Sequence, residues 1–212
     1  MAGSELVEGA ERLGLCLTPD HIARLEAYLA ELIRWSAKMS LTALDTPQAL
    51  TREGLLDSLA CAGHIPADAR LIADIGSGTG FPAIPLAIVC QTPHFTLIEA
   101  VRKKTTFLRH VVRTVGLMNV TVWHGRAEEY DGADHAQFDV AFARAAAPLT
   151  AQAALAFPLL RQTGLFIAQT TTDKAESARE RIDRSRYDIV ERISLPTWIA
   201  GPGREILLLR RI

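Results

Sequence analysis

The chain has 212 residues, enough for one α/β domain with an extension and too few for two full enzyme domains. Its 49% hydrophobic and 22% charged residues suit a globular protein, and a net charge of −1 carries no global nucleic-acid signature. No run of about 18 apolar residues and no basic, apolar leader is present, so a cytoplasmic protein with no membrane partner is expected. Cys16, Cys61 and Cys90 are odd in number and far apart, and read as buried small hydrophobes rather than disulfides, zinc ligands or nucleophiles. The histidines fall on no metal-ligand spacing, so no metal is expected.

Residues 1–65 read as helical. Glu5 to Leu15 is short and amphipathic, and Thr18-Pro19-Asp20 starts a longer helix through Lys38 with Ile22, Leu25, Leu29, Leu32 and Ile33 as its apolar stripe. Thr46-Pro47 opens another helical stretch, and Leu55 to Ala62 follows with Asp57-Ser58 inside it. This segment shows no strand pattern and is expected to be a helical cap, with residues 66–212 forming one compact unit.

From Arg70 the pattern alternates strands and helices, as in a parallel sheet covered on both faces. Strands are expected over Leu71 to Ile75, Phe95 to Ile98, Val120 to His124, Phe138 to Ala143 and Leu165 to Gln169. Helices fall at Ala83 to Val89, Arg102 to Val115, Leu149 to Leu160 and Asp173 to Arg186. Tyr187 to Leu195 and Glu205 to Arg210 read as two last strands joined by a Pro/Gly loop, hence antiparallel. A mostly parallel seven-stranded Rossmann-like sheet ending in such a pair is the pattern of class I methyltransferases that use S-adenosyl-L-methionine (AdoMet).

The stretch Leu71 to Leu86 carries the strongest local signal: a buried strand, Asp74 near its end, the glycine turn Gly76-Ser77-Gly78-Thr79-Gly80, then Phe81-Pro82 and a helix. A pyrophosphate site spaces its glycines differently and keeps a helix amino terminus free, whereas Asp74 repels phosphate and Pro82 and Pro85 remove N–H donors. A ligand with an ammonium, one carboxylate and no phosphate fits, and AdoMet is such a ligand. Asp74 either pairs with that ammonium or caps the loop. Glu99 ends the second strand 19 residues after Gly80. It either accepts the ribose hydroxyls or favours the next helix amino terminus, and its distance from the loop favours the ribose. Arg126-Ala127-Glu128 follows the third strand, where an adenine would reach; a charged helix start is the plainer reading.

The helix from Arg102 to Arg113 holds Arg102, Lys103, Lys104, Arg109 and Arg113 with no acid, which suits a solvated face or an RNA-backbone contact. The fourth strand ends in Ala143-Arg144-Ala145. It lacks the Asn/Asp-Pro-Pro-aromatic run used for exocyclic amines, and no cysteine is expected near a strand end for attack at a pyrimidine carbon. Guanine N7, with an in-plane lone pair, needs only alignment and electrostatics. Arg144 would orient such a substrate at O6 or a phosphate, or it is a plain surface arginine.

At these residues the chain resembles the RsmG (GidB) family of bacterial 16S rRNA guanine-N7 methyltransferases. Ser40-Leu41-Thr42-Ala43 is similar to the family's N-L-T-A, Leu56-Asp57-Ser58-Leu59 to its L-D-S-L, and Asp74 to Leu86 to its double-proline glycine loop. The basic helix, Arg126-Ala127-Glu128-Glu129 and Ala143-Arg144-Ala145 follow in order. The resemblance implies AdoMet as cofactor, held by Gly76, Gly78, Glu99, Ala127 and Glu128, and a substrate side at Arg144. The expected site extends these to Asp74, Ser77, Gly80, Phe81 and Arg144 for AdoMet, and to Arg52, Arg102, Lys103, Arg109 and Arg204 for RNA. The chain departs from the family at Glu53-Gly54 and Arg204-Glu205, each in place of Arg-His, and at Thr170-Thr171 in place of Lys-Gly. The expected partner is 16S rRNA or the 30S subunit, with the protein a monomer. The alternatives are an AdoMet-binding relative without transfer to rRNA, or a methyltransferase of a small molecule or protein.

Overall fold

The structure, a computed structural model, describes residues 2–132, 136–144, 147–179 and 181–212. Helices α1 (Ala2–Arg12) and α2 (Pro19–Met39) open it. Thr18 caps α2 by accepting from the His21 N–H at 3.2 Å, and Pro19 takes a first-turn place where no N–H is required. The helix ends at Ser40, which stands at φ 45° and ψ 62°. That left-handed conformation costs a residue with a side chain about 1–2 kcal/mol. Ser40→Gly is therefore expected to stabilise the fold by about 0.5–1 kcal/mol, after the extra freedom glycine gives the unfolded chain is subtracted. A higher urea midpoint at unchanged slope is the check.

Thr46 caps the next helical run, which consists of α3 (Pro47–Ala49), a π-helical stretch Leu50–Leu56 and α4 (Asp57–Leu59). The ordinary helix expected over Leu55 to Ala62 is thus broken up. The Asp57 N–H reaches back five residues to the Arg52 carbonyl, a wide turn of the kind frequent at functional sites.

Seven strands follow: β1 (Leu71–Ile75), β2 (His94–Glu99), β3 (Val120–His124), β4 (Phe138–Ala143), β5 (Leu160–Thr171), β6 (Tyr187–Ser194) and β7 (Arg204–Arg211). Their spatial order is β3-β2-β1-β4-β5-β7-β6. The first five are parallel, and β7 runs antiparallel to both its neighbours. Between them lie α5 (Ala83–Val89), α6 (Arg102–Val115), α7 (Leu149–Ala156), α8 (Thr172–Arg179) and α9 (Thr197–Ala200). Among the described residues no helix is long and apolar enough to cross a membrane.

Three boundaries differ from expectation for local reasons. Helix α7 stops at Ala156 rather than Leu160, because Pro158 cannot continue the ladder and Leu160 pairs with Phe138. Strand β5 starts five residues early: its register jumps from Phe138↔Leu160 to Val140↔Leu165 across a kink at Thr163 (φ 69°) and Gly164. Helix α8 ends at Arg179 rather than Arg186, and Asp183 then makes a turn by accepting from the Ser185 N–H at 2.9 Å.

Side chains alternate across the sheet and divide the core in two. Ile72, Phe142, Ile167, Ile206 and Leu208 face one cluster, which they share with Leu6, Leu25, Tyr28, Leu32 and Phe107 from the helices. Ala73, Ile75, Ala141, Phe166 and Leu207 face the other, packed on Leu149, Ala153 and Ala178. Helices α5 and α6 lie against this face of the sheet, and the amino-terminal helices pack over them on the same side. Leu25, Leu32 and Leu55 are fully buried there, each stabilising the fold by roughly 1.5–3 kcal/mol. The cysteines do not share one environment: Cys61 is buried and Cys90 half-buried, but Cys16, expected inside, is exposed.

Candidate functional site

The same alternation decides which polar side chains meet. Asp74 lies two residues after Ile72, Arg144 two after Phe142 and Gln169 two after Ile167, while Arg204 lies two before Ile206. All four fall on the face that carries α5, α6 and the amino-terminal helices, at one edge of the sheet. Between β1 and β4 the strand order reverses, and the crevice beyond the carboxyl ends at such a point is where α/β folds bind ligands.

The glycine turn fills this crevice. Gly76, Gly78 and Gly80 stand at φ 68°, 59° and 102°, and a Cβ on Gly80 would lie 2.5 Å from the Ile84 side chain, so only glycine lets α5 pack this close. The N–H groups of Gly76 and Ser77 both donate to the Ile98 carbonyl, at 2.9 and 3.1 Å. From above, the buried Tyr28 hydroxyl donates to the Thr79 carbonyl at 2.8 Å, and its ring meets Phe81 edge-on at 5.3 Å. Helix α2 thus grips the loop directly.

A cleft of about 330 Å³ opens over the turn, lined by Gly76, Ser77, Gly78, Thr79, Phe81 and Arg144 with Leu41 to Leu44 and Lys104 opposite. Five of the expected cofactor residues, Gly76, Ser77, Gly78, Phe81 and Arg144, come together here. Asp74 and Gly80 stand behind the turn rather than in the cleft wall. Glu99 ends β2, where it accepts from the Gly78 N–H at 2.8 Å and the Val101 N–H at 2.7 Å. One carboxylate therefore braces the glycine turn and the start of α6 together. Ala127 is buried and Glu128 exposed in the turn after β3, two strands from β1 along the same edge. Ala145 lies outside the described residues.

Beneath the cleft is a polar cluster whose contacts the motifs do not announce. Asp57 is fully buried; its Oδ2 takes Arg144 Nη2 at 3.3 Å and Arg204 Nη2, and its Oδ1 takes Gln169 Nε2 at 3.0 Å. Arg144 Nη2 also donates to the Glu53 carbonyl at 2.6 Å. Asp57 and Leu41 to Ala43 entered the sequence reading only within family-like motifs and Lys104 only within the basic helix, none of them assigned to the site, while Tyr28 and Gln169 were not singled out. Two carried signals: a lone acid inside the apolar run Leu55-Leu56-Asp57-Ser58-Leu59, and an amide ending the apolar strand of Gln169.

Cations expected at RNA divide into two groups. Arg52 pairs with Glu5, Lys103 donates to the Met39 carbonyl at 3.1 Å, and Arg204 is held by Asp57. Arg102 and Arg109 are exposed on α6. The departures from the family pattern have structural counterparts. A Cβ on Gly54 would lie 2.7 Å from the Phe81 ring, so a histidine there requires that ring to shift. Glu205 accepts from Thr172 Oγ1 at 2.9 Å and from Arg192 at 3.0 Å.

Burial pushes the Asp74 carboxyl up to about 7, with Glu99 nearby raising it further and the Ser77 hydrogen bond and Arg144 opposing. Its Oδ2 is buried without a hydrogen-bond partner. Cys61 feels the charges of Asp57 and Arg144, closer to the site than its sequence position implied, but burial holds its thiol well above the usual range and removes it as a nucleophile. Among the described residues no three His, Cys, Asp or Glu side chains gather as metal ligands. Between about pH 4 and 7 the folded chain keeps a proton on Asp74 that the unfolded chain has lost, so this group's contribution to stability declines as pH rises through that window. Asp74→Asn is expected to remove that slope from a urea-midpoint profile.

Fold and site together define a Rossmann-like class I methyltransferase. The chain belongs to the GidB family, rRNA small subunit methyltransferase G, whose pattern it matches over residues 21–205. Ribosomal RNA small subunit methyltransferase G of Geotalea uraniireducens is 36% identical over 210 residues, covering 98% of this chain and 95% of the relative. The protein of the same name from Polynucleobacter asymbioticus is 39% identical over 197 residues, covering 91% and 83%. Among solved structures, the O-methyltransferase TomG of Streptomyces achromogenes, in complex with SAM, superposes with a TM-score of 0.63 at 19% identity, covering 86% of this chain and 89% of that one. The tRNA methyltransferase TrmI of Aquifex aeolicus gives 0.60 at 14% identity, over 74% and 68%. Likeness at these identities is of fold alone.

Proposed function

We propose that this chain transfers a methyl group from AdoMet to guanine N7 in 16S rRNA. The observation that carries the cofactor is Asp74 Oδ2, a buried acceptor without a partner beside a glycine turn at the switch point. It fits an ammonium and, with Glu99, opposes a phosphate. In this reading Asp74 takes the ammonium, the turn from Gly76 to Gly78 lies along the amino-acid portion, Glu99 accepts from the ribose, and Ala127 and Glu128 flank the adenine. When bound, AdoMet supplies an electrophilic methyl on a sulfonium.

Guanine N7 loses no proton on methylation, so the chain needs no general base. Arg144 orients the base, Phe81 and Leu41 keep water from the cleft, and Arg102 and Arg109 draw in the RNA backbone. The protein acts as a monomer on the small subunit in the cytoplasm. Family membership over most of the chain supports rRNA as the substrate.

Pairing with the ammonium requires an ionised Asp74. AdoMet affinity, measured by calorimetry, is expected to weaken as pH falls through about 7, and Asp74→Asn to bind weakly at every pH. Equal affinity at about pH 6 and about pH 8 contradicts the assignment of Asp74. The substrate is tested with methyl-labelled AdoMet and either naked 16S RNA or 30S subunits. Label in RNA is expected; unlabelled RNA beside normal cofactor binding overturns the substrate.

A further inference from the structure

Native folds seldom leave buried polar atoms unmet, yet Arg144 Nη1 and Gln169 Oε1 are both buried without a hydrogen-bond partner. They are neighbours by construction. Ala143 pairs with Ala168 in parallel register, so Arg144 and Gln169 are the next residues on adjacent strand ends, on the same face. Both are tied to Asp57, through Arg144 Nη2 at 3.3 Å and Gln169 Nε2 at 3.0 Å, and Gln169 Nε2 also donates to the Asp57 carbonyl at 2.8 Å. Those two acceptors fix the amide's orientation, since a flipped amide would set oxygen against oxygen. What remains is one unmet donor on Arg144, which lines the cleft, and one unmet acceptor on Gln169, buried at the neighbouring strand end.

We infer that Arg144 Nη1 and Gln169 Oε1 together select guanine, the donor meeting O6 and the acceptor meeting N1–H. The inference rests on the proposed function and adds Gln169 to it as a specificity residue. O6 and N1–H are adjacent on the ring, and a pair that reads them leaves N7, on the other side of O6, uncovered for the methyl. Adenine reverses the pattern: an amino group would face the guanidinium and an unprotonated N1 would face the amide oxygen. Both contacts then oppose like with like, the arrangement by which a polar site rejects an analogue most strongly. Asp57 and Arg204 act through this pair as positioning residues, Asp57 by anchoring both side chains and Arg204 by sharing its carboxylate.

The test uses 16S RNA carrying guanine, inosine or N1-methylguanine at the position that the wild-type protein labels. Inosine keeps O6 and N1–H, so its kcat/KM is expected within a few-fold of guanine, whereas N1-methylguanine should fall by roughly 30-fold or more. Gln169→Ala is expected to lower kcat/KM for guanine and inosine by roughly 10–100-fold while leaving N1-methylguanine unchanged. Gln169→Leu, which preserves side-chain volume, should show the same loss on guanine. AdoMet affinity reports that the fold is intact in both variants. Equal losses on all three RNAs would assign Gln169 to holding Asp57 alone and overturn the proposal, as would wild-type acceptance of N1-methylguanine or rejection of inosine. A wild-type protein that binds AdoMet but labels none of the three removes the proposed function, and this inference with it.

Discussion

Asp57→Ala is expected to lower the stability of the folded chain by about 3–5 kcal/mol, the usual cost of removing one partner from a buried ion pair. Asp57 is fully buried, and its carboxylate is the shared acceptor of Arg144, Arg204 and Gln169. Alanine would leave two largely buried guanidinium groups facing each other with no carboxylate between them. For a chain of this size the loss corresponds to a fall in melting temperature of roughly 6–20 °C. Asp57→Asn keeps the shape and one acceptor, so a smaller loss is expected. Urea unfolding of the three proteins decides it: a drop under about 1 kcal/mol for alanine would mean that the cluster is solvated rather than buried.

The second large effect is expected from Glu99→Ala. Its carboxylate accepts from the Gly78 and Val101 N–H groups, and each buried N–H left unmet costs about 1–3 kcal/mol. The same substitution removes the acceptor proposed for the ribose, so AdoMet affinity should fall by roughly 100-fold or more, since hydrogen bonds to a charged group contribute about 1.5–3 kcal/mol each. Glu99→Gln offers an oxygen to only one of the two N–H groups and is expected to lie between. An alanine variant that binds AdoMet within about threefold of the wild type would withdraw the ribose role and leave Glu99 as a brace for the turn.

The parts of this structure written into the sequence are those with local causes. Helix α6 runs from Arg102 to Val115 as expected because its apolar stripe is periodic and Gly116, at φ 72°, stops it. Helix α5 and strands β3 and β4 likewise match, being bounded by prolines, glycines and short apolar runs. The kink at Thr163-Gly164 hid the first half of β5, since its polar residues read as a loop while the ladder resumes beyond it. The cleft was legible at its glycine turn, where Asp74 to Phe81 is one contiguous segment. The polar cluster beneath it was not. Asp57 meets Arg144 and Arg204 across 87 and 147 residues, respectively, and Tyr28 reaches Thr79 across 51. Contacts of that range arise from strand order and face, and no local pattern encodes them. The same distance explains why Arg52 and Arg204 read as free cations: their partners Glu5 and Asp57 lie far off in the chain.

The central claim, methyl transfer to guanine N7 of 16S rRNA, is tested most directly by identifying the labelled nucleoside. Small subunits are incubated with the protein and methyl-labelled AdoMet, and the 16S RNA is digested to nucleosides and resolved by mass spectrometry. The account predicts label in N7-methylguanosine alone, at one position and approaching one methyl per subunit. Label in any other nucleoside, or none while AdoMet is bound, would contradict it.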